Sequence, residues 1–237
     1  MSVTPAAVTT WPADVVGAAQ VALEPLADPG RAAPMARYLR DQFSFLGVGT
    51  PQRRAALRGA WRDVPAPPTT RALATAAAAL WALPEREYTY AACDLLARWA
   101  PRAEQELLAD VEQLIVADSW WDSVDSLRSA AVGPLVAAHP ALVPVTHRWI
   151  EADDRWLVRS AIIHQLGYGA ATDAERLFAF CARRAADREF FVAKAIGWAL
   201  RTYARVAPDA VRTFVSACPE LTPLARREAL KHLGPPA

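Results

Sequence analysis

At 237 residues the chain can bury a substantial core, and a composition that is 53% hydrophobic, rich in Ala and Leu with only 10 Gly, favours helices over strands. The net charge of +1 is spread as 11 basic against 13 acidic residues up to position 118 and 15 against 12 beyond it, which permits a polyanionic partner without requiring one. No charge-free apolar run reaches membrane-spanning length, no signal-like start is present, and neither a GxGxxG nor a GxxxxGK[ST] phosphate loop occurs. Cys93, Cys181 and Cys218 are far apart and odd in number, as expected of a reduced, cytoplasmic protein. With His139, His147, His164 and His232 also dispersed, no metal site and no cofactor are expected.

In chain order, the first thirty residues, with Pro5, Trp11 and Pro12, predict a loose N-terminus over about residues 1–12 and a capping helix. Prolines then punctuate helical patterns, as at Leu83-Pro84, Ala100-Pro101 and His139-Pro140. Ten-residue segments align without gaps at Thr89 (TYAACDLLAR), Ser126 (SLRSAAVGPL), Leu157 (LVRSAIIHQL), Phe191 (FVAKAIGWAL) and Leu224 (LARREALKHL), with starts 37, 31, 34 and 33 residues apart. A period of this size built from helix pairs predicts an all-α fold, an α-solenoid of HEAT-like repeats forming a single domain over 1–237; the alternative is an ordinary helical bundle.

The third or fourth position of four segments is basic: Arg128, Arg159, Lys194, and Arg226 with Arg227. Equivalent positions of stacked helices lie side by side, so these charges are either solvated surface groups or a row of phosphate contacts on one face. Between the first two segments stands Ser119-Trp-Trp-Asp-Ser-Val-Asp125. Ser119 followed by Asp122 predicts a capping box, with Asp122 also favoured by the helix dipole. The helical repeat then groups Trp120, Val124, Leu127 and Ala131 on a core face and Trp121, Asp125 and Arg128 on another, where Asp125 and Arg128 could form a surface i,i+3 ion pair. Trp198 occupies the eighth position of its segment, where the others have Leu96, Gly133, His164 and Lys231; that register is not consistently apolar, which favours exposure over burial in the core.

These residues resemble the AlkD family of alkylpurine DNA glycosylases, built of HEAT-like repeats. The resemblance spans roughly residues 30–233 and rests on PMARYLRDQFSFLGV (34–48), TPQRR (50–54), WALPERE (81–87), SWWDSVDS (119–126), DRWLVRSAIIHQL (154–166), REFFVAKAIGWALRTYA (188–204) and LARREALKHL (224–233). It implies a monomeric DNA glycosylase that cradles duplex DNA on a concave face and removes cationic N3- or N7-alkylated purines without obligatory base flipping, in contrast to most glycosylases. By position it implies Asp125 as the catalytic carboxylate, Trp121 and Trp198 as site tryptophans, and Arg159, Arg201 and Tyr38 near the DNA. Thr50, Arg54, Arg128, Lys194 and Arg227 complete the expected DNA-binding set. One departure is Gly49, where a glutamine precedes the Thr-Pro of this loop in one member of the family; backbone amides around Thr50 remain able to hold a phosphate.

The chemistry suits such residues. A cationic purine leaves as a neutral base without a strong general acid, so the carboxylate has to stabilise an oxocarbenium-like sugar and position water. Lys194 and Lys231 are the only lysines, and a lyase would need an amine nucleophile; the place of Lys194 in the basic register favours a phosphate contact, hence a monofunctional enzyme leaving an abasic site. The competing functions are a catalytically weak DNA-structure-binding relative and a HEAT-like protein-interaction scaffold.

Overall fold

Small apolar residues at helical spacing, capped by Asp, Glu or Thr and separated by proline, make the chain all-α, as its sequence predicts. The computed structural model describes residues 10–233, and among these there is no strand, the one β-type contact being an isolated bridge between Ser44 and Glu85. No single helix in this range is long and apolar enough to cross a membrane. The chain divides into two compact units, Met1–Asp110 and Val111–Ala237.

The first unit contains α1 (Trp11–Leu23), α2 (Pro29–Tyr38), α3 (Thr50–Ala60), α4 (Thr70–Trp81) and α5 (Arg86–Trp99); the division falls within α6 (Leu107–Val116). Trp11 and Pro12 do not belong to a loose N-terminus but open α1. The indole N–H of Trp11 donates to the Pro65 carbonyl at 2.9 Å, and Trp11, Val15, Ala19 and Leu23 form one buried stripe. The remainder of the expected loose segment, residues 1–9, lies outside the described residues.

Two of the motif segments lock together here. Glu87 is fully buried at the start of α5, and its carboxylate accepts hydrogen bonds from the backbone N–H groups of Leu46, Gly47 and Val48, each at 2.9 Å. Beside it the buried Arg86 guanidinium lies 3.8 Å from the centre of the Phe43 ring, and the Arg86 N–H donates to the Ser44 carbonyl. Gly47 is required: its φ is +92°, and a Cβ there would lie 2.1 Å from the Asp28 carbonyl oxygen. The loop before α3 is thus tied to α5, which fixes where the first turn of α3 points.

In the second unit α7 (Trp121–Leu127) continues through a π-helical turn, Arg128–Val132, into α8 (Gly133–Ala138). Pro134 has no N–H and its ring would collide with the carbonyl four residues back, so the helix widens and the Gly133 N–H donates to Arg128 O, five residues back. There follow α9 (Val143–Ile150), α10 (Arg155–Ile163), α11 (Ala174–Arg183), α12 (Phe190–Tyr203), α13 (Pro208–Ala217) and α14 (Pro223–Leu230). Four repeat segments map onto α7–α8, α10, α12 and α14, and the first onto α5. Side-chain caps from Asp154, Asp173, Glu189 and Thr222 start α10, α11, α12 and α14. Helix α10 packs between α9 and α12, and α12 packs on α14. Gly197 lets the last pair approach closely: a Cβ there would meet Glu228 Cβ at 2.4 Å.

His164, just after α10, is fully buried, with Nδ1 donating to the Ala161 carbonyl at 2.6 Å and Nε2 buried without a hydrogen-bond partner. Burial is the main cause of its pKa falling from the ordinary 6.5 to about 4.

Two outcomes follow. Replacing Glu87 by Ala strands three backbone donors and should lower stability by about 3 kcal/mol in urea denaturation; a loss under about 1 kcal/mol would refute the anchoring role. Because His164 titrates at 6.5 in the unfolded chain and at about 4 in the native one, the unfolded state binds the extra proton first. Stability should therefore decline as pH falls from 6.5 towards 4, by up to about 1.4 kcal/mol per pH unit. The denaturation midpoint of His164→Gln, followed over the same range, should lack that component.

Candidate active site

The stretch from Ser119 to Asp125 folds one register later than its sequence suggests. The Ser119 hydroxyl donates back to the Ile115 and Leu114 carbonyls, closing α6. Trp120, in extended conformation, is the N-cap residue of α7, and Ser123 supplies the capping bonds: it accepts from the Trp120 N–H at 3.3 Å and donates to the Trp120 carbonyl at 3.0 Å. Asp122 remains in the first turn, where the helix dipole favours it. Val124, Leu127 and Ala131 are fully buried as expected. Trp120 is half-buried and joins Trp156 and Phe191, with ring centroids 5.9 and 5.3 Å away.

On the other face, Trp121 and Asp125 are both half-buried, one helical turn apart. Asp125 does not pair with Arg128. Its partner is Arg159 of α10: Nε donates to Oδ1 and Nη2 to Oδ2, both at 2.8 Å, a bidentate fork in which the Arg159 side chain is 6% exposed and that of Asp125 18%. Arg159 Nη1 donates to the Phe191 carbonyl at 2.7 Å, and the guanidinium carbon lies 5.8 Å from the centre of the Trp198 ring. Trp198 is half-buried while Ala195, Ile196, Gly197, Ala199 and Leu200 around it are buried, in keeping with the register argument. Asp125, Arg159 and Trp198, from α7, α10 and α12, therefore form one contiguous group with Trp121 on its first helix. The Asp125 side chain is less deeply buried than the guanidinium that holds it.

The remaining basic residues of this unit are largely engaged. Arg128 Nη1 donates to the Leu166 carbonyl at 2.6 Å and its Nε is buried without a hydrogen-bond partner; burial lowers its pKa, an effect that Asp125 and then Tyr168 oppose. Lys194 lies 3.0 Å from Glu228, whose other oxygen takes Arg201. Arg226 donates to the Val215 and Cys218 carbonyls at the end of α13, whereas Arg227 is exposed. The basic register exists, but Arg128, Arg159 and Lys194 each reach a group about one repeat further along the chain. Glu228 and the Phe191 carbonyl escaped the sequence reading. A single acid among the bases of LARREALKHL was the available signal for Glu228; a backbone carbonyl leaves none.

In the first unit, Tyr38 is 73% exposed at the end of α2. Thr50 is exposed in the first turn of α3, whose N-cap, Gly49, offers no side-chain acceptor to the free N–H groups. A side chain at position 49 would begin 2.5 Å from Arg31 Nη2, so the Arg31 guanidinium already occupies that space. Arg54 is largely exposed and pairs with Asp94 at 3.1 Å, which also takes the buried Arg53 at 3.2 Å.

The chain matches the family model for the DNA alkylation repair enzyme over residues 19–233. It is also similar to a solved structure described as a predicted DNA alkylation repair enzyme from Enterococcus faecalis, at 31% identity and a TM-score of 0.81, over 89% of this chain and 98% of that one. No curated protein matches it. The motif segments, the all-helical repeat fold and these two matches agree: the chain belongs to the DNA alkylation repair enzyme family.

Proposed function

We propose that this family member is a monofunctional DNA glycosylase that hydrolyses the N-glycosidic bond of N3- or N7-alkylated purines in duplex DNA, without obligatory base flipping, and leaves an abasic site. The observation that carries the reading is the Asp125 carboxylate, held by both oxygens on the buried Arg159 fork while its side chain stays partly exposed, with Trp198 against the same guanidinium.

The alkylated purine is cationic and departs as a neutral base, so the group it needs is an anion beside the sugar rather than a proton donor. A carboxylate has about four acceptor directions, and two taken by Arg159 leave the others for the attacking water or for C1′ of the deoxyribose. Water held on Asp125 gives up a proton to that carboxylate as its oxygen bonds to C1′, while the glycosidic electron pair leaves with the purine. The faces of Trp121 and Trp198 attract both the cationic base and the developing sugar charge, worth on the order of 1–2 kcal/mol each when desolvated. No amine nucleophile enters this scheme, and the Lys194 ammonium is committed to Glu228.

In this reading Arg159 is a positioning residue. Three of its donors are taken and its side chain is buried, so its effect reaches DNA through Asp125 rather than by a phosphate contact. Lysine keeps the charge but not the planar fork.

Asp125→Asn should lower the release of methylated purine from duplex DNA, measured by chromatography under single-turnover conditions, by about 100-fold or more. Release at the wild-type rate would remove Asp125 from the chemistry. Arg159→Lys should lower the single-turnover rate by about 10- to 100-fold and duplex affinity by much less. An affinity loss larger than the rate loss, with a shallower salt dependence, would return Arg159 to the role of a phosphate contact.

A further inference from the structure

Helix α14 sets a carboxylate against the cations of α12. Glu228 takes the Lys194 ammonium at 3.0 Å on one oxygen and the Arg201 guanidinium on the other, and Arg201 Nη1 also reaches the Glu228 carbonyl at 3.3 Å. The Glu228 side chain is 15% exposed, against 38% for Lys194 and 23% for Arg201, so the acid lies deeper than the bases it neutralises. Hydrogen bonding to Lys194, then to Arg201, holds its carboxyl below the usual range.

Helix chemistry does not explain an acid at this position. Glu228 stands in the last turn of α14, where the helix dipole favours cations and works against a carboxylate. Its root is packed tightly on α12: a Cβ on Gly197 would lie 2.4 Å from the Glu228 Cβ. The result is a cluster of two cations and one anion with net charge +1, where Lys194 and Arg201 alone would present +2.

We infer that Glu228 is a built-in counter-ion that competes with DNA phosphate for Lys194 and Arg201 and so weakens binding to undamaged duplex. The inference rests on the DNA-acting reading above. Phosphate contacts are sequence-independent and grow with each free cation, so they hold intact DNA as tightly as damaged DNA. Specificity is a difference of affinities, and undamaged sites outnumber lesions; an internal anion that discounts the common term favours release from intact DNA. When a phosphate displaces Glu228 from either cation, the carboxylate keeps the other.

The test is fluorescence anisotropy of an undamaged duplex with the full chain across a range of salt concentrations. Glu228→Gln and Glu228→Ala, which remove the charge with different packing demands, should each bind more tightly at low salt, by on the order of three- to tenfold, with the slope of log affinity against log salt steeper by about one. Adding Lys194→Gln to Glu228→Gln should return the slope to the wild-type value. Unchanged or weaker binding in folded charge-removing variants overturns the inference and leaves Glu228 a structural partner of the two cations. A wild-type protein with no salt-dependent duplex binding at all instead defeats the DNA-acting reading itself, and the inference with it.

Discussion

The second unit depends on one guanidinium. Arg159 is all but removed from water, and a buried charge is tolerated only when its donors are taken by groups of good geometry. Those groups come from different repeats: the Asp125 carboxylate from α7 and the Phe191 carbonyl from α12, with the Trp198 ring on the same helix. The stacking of repeats and the aiming of the candidate catalytic carboxylate are therefore one interaction. Shifting α10 against either neighbour would leave an uncompensated charge inside the stack, a far larger penalty than loss of a surface ion pair.

The same offset recurs. Arg128 reaches Leu166, Arg159 reaches Phe191 and Lys194 and Arg201 reach Glu228, while on the paired helices Arg184 reaches about as far in the opposite direction, to the Ile150 and Ala152 carbonyls. In each case a long basic side chain joins neighbouring repeats, using acceptors at helix ends or the few acids available. A basic position repeating every thirty-odd residues thus has a structural use before any phosphate is considered. Within this register the exposed Arg227 is the residue for which a direct phosphate contact needs no change of internal partner.

What the sequence made legible was local or periodic. Helical spacing separated the buried Val124, Leu127 and Ala131 from Trp121 and Asp125, and the uneven eighth register position foretold that Trp198 stays partly open. Contacts across a repeat were not legible. Arg128 is three residues from Asp125 and looked like its partner, whereas Arg159 is 34 residues away. What decides between them is the π-helical turn forced by Pro134, which begins at Arg128, and the Leu166 carbonyl that captures its guanidinium. The cap failed for a related reason. Ser119 and Ser123 are equally plausible helix starters by type, but Ser119 finds the open carbonyls at the end of α6, leaving Ser123 to cap α7.

The charge balance around the candidate site bears on how the proposed glycosylase would recognise a cationic lesion. Asp125 with Arg159 sums to zero, and Lys194, Arg201 and Glu228 sum to +1, so these five residues together supply no net negative charge to draw in a cationic purine from a distance. Attraction must act at contact range. In the proposed function the partly exposed Asp125 would supply it together with Trp121 and Trp198, since aromatic faces offer electron density that carries no net charge and does not repel phosphate. Under the proposed glycosylase function, a site made this way would hold a positive base or sugar without rejecting the polyanion that delivers it. That requirement fits two half-buried tryptophans accompanying one partly neutralised acid, where a cluster of acids would bind a cation better and DNA worse.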